Sequence, residues 1–182
     1  MLHANRPDPP AITINEHQLK HVHKFTYLGG VMSDDASLDA EINRRISRAA
    51  GTCKSLSDRC WNRSGLSMST KLTVYKATVL PTLLYGSETW ATLSIHTHRL
   101  ETFHQQSLTR IMKIKWWQSI SNNEVLQRAK STTIETMLRG NRLRWLGHVS
   151  RMKDNCIPTQ LLFGELARGT RWNVGRTARR MI

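Results

Sequence analysis

The sequence predicts a mainly α-helical chain: a short N-terminal β-hairpin, a helical bundle, and a basic, weakly ordered tail. Three observations predict it. Period-two alternation is confined to the segment before Gly30, apolar residues recur at three- and four-residue steps from Ser37 onward, and neither pattern persists after Asp154. The expected divisions are residues 1–35, 36–153 and 154–182.

Residues 1–10 form a Pro-containing lead-in, and Ala11-Ile-Thr-Ile14 alternates like a strand. Leu19, Val22 and Phe25 give a second strand through Tyr27, with Asn15 to Gln18 as the turn between the two. Gly29 and Gly30 close that second strand, and Val31-Met32 extends it toward Ser33. From Ser37 to about Trp61, Leu38, Ile42, Ile46, Ala49, Cys53, Leu56 and Cys60 mark the inner face of a helix. Ser37 suits its N-cap, and Asp39 and Glu41 suit its positive end. Glu41 lies one turn from Arg45 and can pair with it.

A second helix is expected from about Ser69 to Leu80, with Leu72, Val74, Tyr75 and Val79 inward. Pro81 kinks it, and continuation past the proline is the preferred reading of 82–90. A third runs from about Ile95 to Ile114 through Leu100, Phe103, Leu108, Ile111 and Met112. Asn122 or Asn123 caps a short helix to about Ala129. Thr133 caps another, which reaches Trp145 through Ile134, Leu138 and Arg142 and is weakest at Gly140.

Charge narrows the function classes. Among 182 residues, 27 Lys+Arg face 13 Asp+Glu, a net of +14 with pI near 10.6. Residues 1–100 hold 12 basic against 8 acidic side chains, a net of +4; residues 101–182 hold 15 against 5, a net of +10. Such an excess favours polyanions, through phosphate contacts and counterion release. Three widely spaced cysteines, Cys53, Cys60 and Cys156, suit a reduced protein inside the cell, nuclear or cytoplasmic, as does an N-terminus without an apolar h-region. With no apolar run of about 18 residues, no membrane partner is expected.

Four strings carry a resemblance. They are Phe25-Thr26-Tyr27-Leu28-Gly29-Gly30, then Ile42-Asn43-Arg44-Arg45-Ile46, then Leu84-Tyr85-Gly86-Ser87-Glu88-Thr89-Trp90, and last the run from Arg144 through Trp145, Gly147, His148 and Arg151 to Met152. In order and spacing these resemble the post-palm portion of a LINE-type (non-LTR) retrotransposon reverse transcriptase. The resemblance covers roughly Ile12 to Arg180. It implies that Phe25, Tyr27, Leu28 and Gly29 end the palm near the primer, and that the helix carrying Arg44, Arg45 and Arg48 begins the thumb. Its implied partners are RNA, RNA–DNA hybrid or DNA, together with the palm and fingers regions. Any Mg ions would belong to that palm, so no cofactor and no catalytic residue is assigned to this chain. The tail resembles the family's basic ending at Gly175, Arg176 and Arg179, but Thr177 stands where proline is usual and Met181 near where tryptophan is expected.

The residues themselves leave alternatives open. Arg44, Arg45 and Arg48 project away from the apolar face, where planar guanidinium forks match phosphate, or they form a solvated charged face. Tyr85, Gly86, Glu88 and Trp90 are more suited to pinning the second helix against the third than to stacking on nucleic acid. Trp116 and Trp117 beside Lys113 and Lys115 either stack bases near phosphate-binding cations or finish the core at a helix end. Arg142, Arg144, His148 and Arg151 flank Trp145 and Gly147, and Arg144, His148 and Arg151 share one helical face, which either contacts nucleic acid or carries His148 as a packing histidine.

Asp34-Asp35 is the sole Asp-Asp pair, and it follows the landmark that a polymerase's metal-binding carboxylates precede; it reads as a turn. His21/His23 and His96/His98 bring two imidazoles together only on a strand or loop and turn to different faces on a helix, no Cys-x-x-Cys exists, and Cys53 to Cys60 is too wide for a zinc knuckle, so no metal site is expected. The sequence therefore reads as a fragment that grips template–primer without chemistry of its own. The rival readings are an orphan or domesticated basic adaptor, or a pseudogene product.

Overall fold

The computed structural model describes residues 13–14, 17–18, 22–27, 29–34, 37–153 and 155–163. The fold is mainly helical, with short antiparallel strands at the N-terminal end. The expected tail lies outside the described residues except for 155–163, which hold one helix, Ile157–Phe163.

Two small ladders replace the single expected hairpin. β1 (Thr13–Ile14) pairs with β2 (His17–Gln18), so residues expected in a turn contribute a strand. β3 (Lys24–Tyr27) pairs with β4 (Gly30–Ser33), with Tyr27 opposite Gly30 and Lys24 opposite Ser33. Val31 and Met32 thus run back along β3 instead of extending it. The reversal falls at residues 28–29, where Gly29 has φ +82, a left-handed conformation that glycine adopts without Cβ strain.

α1 (Asp39–Ser55) buries Ile42, Ala49 and Cys53, with Leu38, Ile46 and Leu56 partly covered. Its N-cap position is Leu38 rather than Ser37, because the helix begins one residue later than expected. Ser37 Oγ still accepts the Asp39 N–H at 3.2 Å. The chain then widens into a π-helical turn, Ser57–Trp61, which brings Cys60 and Trp61 inward. There Trp61 Nε1 donates to the Cys53 carbonyl at 2.7 Å.

The second long helix starts at Met68, capped by Ser67, whose side chain accepts the Thr70 N–H. α2 (Met68–Val74) passes through a π-helical turn, Tyr75–Val79, into α3 (Leu80–Leu83). In a regular helix the Pro81 ring would press on the carbonyl four residues back. Here the Leu80 N–H reaches back five residues to the Tyr75 carbonyl, and the helix continues past the proline. Leu72, Tyr75, Val79, Leu80 and Leu83 form the buried face.

α4 (Ser94–Ile111) crosses this pair and buries Leu100, Leu108 and Ile111. α5 (Asn122–Arg128) is capped by Ser121, not by either asparagine, since the Ser121 side chain accepts the Glu124 N–H. α6 (Ile134–Val149) is capped by Thr133 as expected and runs one turn past Trp145, taking His148 into the helix. α7 is Ile157–Phe163. α1 packs on α3 and α4, while α5 and α6 pack on α4. Each fully buried Leu or Ile in the shared apolar core contributes about 1.5–3 kcal/mol, and polar side chains such as Arg45, Ser87 and His104 are buried with it.

Candidate nucleic-acid interface

Three of the four landmark strings meet around the start of α1. Arg45 is buried, against the expectation that it faces outward. Its Nε donates to Glu41 Oε1 at 2.6 Å and its Nη2 to the Gly29 carbonyl at 2.7 Å. Its guanidinium lies 4.8 Å from the centre of the Tyr85 ring. Glu41 Oε2 in turn accepts the Val31 N–H at 2.7 Å. One ion pair therefore ties the reversal of the hairpin and β4 to α1 and to Tyr85. The reason is geometric: the two-residue reversal turns the Gly29 carbonyl and the Val31 N–H toward the helix, where an acceptor and a donor one turn apart meet them.

Its neighbours reach the same hairpin from outside. Arg44 Nη1 donates to Thr26 Oγ1 at 2.8 Å, and the exposed Arg48 places Nη1 3.5 Å from where a Cβ on Gly29 would stand. On β3, Phe25 and Tyr27 are exposed and stacked, with ring centres 6.4 Å apart. Leu28 lies outside the described residues.

The Leu84–Trp90 string pins α6 rather than α4. Gly86 takes φ +75, and a 3-10 turn, Ser87–Thr89, follows. Fully buried Ser87 accepts from Asn141 Nδ2 at 2.8 Å. Arg142 Nη2 donates to the Trp90 carbonyl at 3.0 Å and to Thr92 Oγ1 at 2.5 Å. Trp90 is buried and Glu88 half-buried. Arg142 is thus held within the fold, while Arg144 and His148 project one turn apart on the exposed side of α6. Arg151 lies past the helix end, not on it, and folds back so that its Nη1 is 3.4 Å from a Cβ position on Gly147. Trp145 is half-buried.

Lys113 to Gln118 forms a projecting turn after α4. Trp116 and Trp117 are 89% and 63% exposed, so they do not finish the core. Lys113 and Lys115 are exposed beside them.

Most described carboxylates have a partner within the chain, three of the ion pairs lying at the surface. Besides Glu41, Asp39 pairs with Arg99 at 3.0 Å, Glu124 with Arg128 and Glu135 with Arg139, both at 2.6 Å. Glu101 accepts from the Ile134 N–H and from Gln105 Nε2. Asp34 sits in a turn, 2.8 Å from His23 Nδ1; Asp35 lies outside the described residues. Among the described residues, Arg44, Arg48, Lys113, Lys115, Arg144 and Arg151 have no carboxylate partner. Arg110, also exposed, joins them; the absence of any acid from 102 to 123 would have flagged it.

Perturbed protonation belongs to the core. Burial pushes the Cys53 thiol and the Tyr75 phenol up and the His104 imidazole down. Tyr75 Oη and His104 Nδ1 meet at 2.9 Å in that interior. Among the described residues no group of three or more His, Cys, Asp or Glu is arranged to hold a metal, and no helix is long and apolar enough to cross a membrane.

No family model matches the chain and no solved structure matches it. An uncharacterized protein of Caenorhabditis elegans, named as transposon-derived, is 26% identical over 148 aligned residues, covering 75% of this chain and 50% of that protein. The chain thus spans about half the length of the curated relative it matches, and the likeness suggests a transposon-related origin.

Proposed function

We propose that this chain grips the backbone of a nucleic acid, as the post-palm portion of a LINE-type reverse transcriptase would grip RNA–DNA template–primer. The observation that carries the reading is the division of charge. Among the described residues, most carboxylates are held by pairs within the chain or by backbone amides, while arginines and lysines at the hairpin, the α4 exit and the α6 end have no acidic partner. Phosphates are the ligand such cations select, because neutralising each one releases condensed counterions. The reach of Arg44 and Arg48 from α1 to the hairpin that resembles the palm's end supports a site near the primer.

Chemistry would reside elsewhere in the longer protein. Nucleotidyl transfer requires carboxylates holding two metal ions, and Asp34 is turned to His23. Labelled hybrid duplex, B-form DNA and single strands titrated across salt concentration test the reading. If Arg44, Arg48, Lys113, Lys115, Arg144 and Arg151 each neutralise one phosphate, log K falls against log salt with a slope of about −5. A slope near zero refutes the grip, and nucleotide incorporation by the purified chain refutes its inactivity. Equal affinity for hybrid and B-form duplex would favour the basic-adaptor reading.

A further inference from the structure

We infer that the turn from Lys113 to Gln118 is a stacking platform for unpaired bases of a single strand, which deepens and rests on the nucleic-acid reading. A backbone grip needs only cations, yet this turn spends two large indoles on the surface. Trp116 and Trp117 are 89% and 63% exposed, whereas Trp61 and Trp90 are buried. Exposing so much apolar area is unfavourable unless something covers it.

The turn holds its shape without burying the rings. The Lys115 N–H donates to Gln118 Oε1 at 2.9 Å, and the Gln118 N–H donates to the Lys115 carbonyl at 3.1 Å. Lys113 and Ser119 bracket it at φ 55 and φ 48, left-handed conformations that non-glycine residues seldom adopt. Between these two reversals both indoles lie at the surface.

The geometry favours separate bases over a base pair. The two indoles meet edge to face, with centres 6.1 Å apart and planes at 85°. Two perpendicular faces cannot both stack on one flat base pair, but each can take one base of a flexible strand. Lys115 Nζ lies over one face of the Trp117 ring, 5.9 Å from its centre, so a base stacking on that face displaces the ammonium toward its phosphate. Arg110 and Lys113 add cations, and no acid occurs from 102 to 123. A double helix hides its base faces, so the ligand class is single-stranded RNA or DNA, or the unpaired overhang of a template.

The test uses the full chain and its Trp116→Ala/Trp117→Ala variant. Fluorescence anisotropy is read with a poly-dT oligonucleotide, a poly-U oligonucleotide and a blunt hybrid duplex. Far-UV circular dichroism checks that helicity is kept, which the exposure of both indoles leads us to expect. The variant should lose about tenfold or more in single-strand affinity and less than twofold on the blunt duplex. A preference of the wild type for poly-U over poly-dT, or the reverse, identifies the strand. If wild type binds both ligands and the variant matches it on both, the platform is overturned while the backbone grip stands. Equal losses on single strand and duplex also overturn the platform. If wild type binds neither, the nucleic-acid reading itself fails. Indole emission that shifts blue on phosphatidylserine vesicles but is unchanged by oligonucleotides would assign the turn to a lipid surface and overturn the inference.

Discussion

Removing the Arg45 guanidinium should release the hairpin from the bundle. Arg45→Met keeps most of the side-chain volume but strands Glu41, whose side chain is only 4% exposed, as a buried carboxylate with the Val31 N–H as its remaining partner. It also leaves the Gly29 carbonyl without its donor. Breaking one side of a buried ion pair costs about 3–5 kcal/mol, because the surviving charge stays desolvated. Each kcal/mol lowers Tm by about 2–4 °C in a chain of this size, so the expected fall is about 6–20 °C. Glu41→Gln/Arg45→Met should be more stable than Arg45→Met alone, since it strands no charge while the amide oxygen still accepts from Val31. Thermal melts followed at 222 nm report the global effect. Amide exchange at Val31, measured by NMR or mass spectrometry, reports whether the hairpin lifts. A fall in Tm under 2 °C for Arg45→Met, or a double variant less stable than the single, would refute the clamp.

Two further outcomes follow from the core and its turns. Gly86→Ala should cost about 1–2 kcal/mol, because φ +75 is strained for an L residue while nothing within 4 Å obstructs the new Cβ; an unchanged urea midpoint would show that the turn relaxes. For His104, burial holds the folded pKa below the ordinary 6.5, so the unfolded chain takes up a proton first as pH falls. Its contribution is complete above that value and is lost as pH falls toward the folded pKa. The urea midpoint should therefore drop between pH 7.5 and 5.5, and by less in His104→Gln; an equal drop in both would rule out this histidine as the source.

Helical periodicity was the most legible feature. Ile42, Ala49 and Cys53, then Leu72, Tyr75 and Val79, then Leu100, Leu108 and Ile111 are all buried where the spacing placed them, because one turn fixes which side chains share a face. Caps were readable only to within a residue or two: Thr133 holds, while Ser121 displaces Asn122 and Asn123. Strand pairing was misread. Alternation names a strand but not its partner, and Gly29 at φ +82 folds Val31 and Met32 back on β3.

The candidate interface divides along the same line. By itself the sequence determined the basic excess, the helical class and the positions of the landmark strings, since composition and local periodicity need no long-range contact. Only the tertiary structure decided which cations remain available. Arg45 and Arg142 are withdrawn to hold the hairpin and the Trp90 turn, while Arg48, Arg144 and Arg151 stay outside. Likewise it decided that Trp116 and Trp117 face solvent when Trp61 and Trp90 do not. The physical reason is that a guanidinium is buried only where partners offset its desolvation, and an indole only where a cavity is formed for its ring. What tips the balance is a partner supplied from far along the chain, such as the Gly29 carbonyl for Arg45, and no window of local sequence contains it.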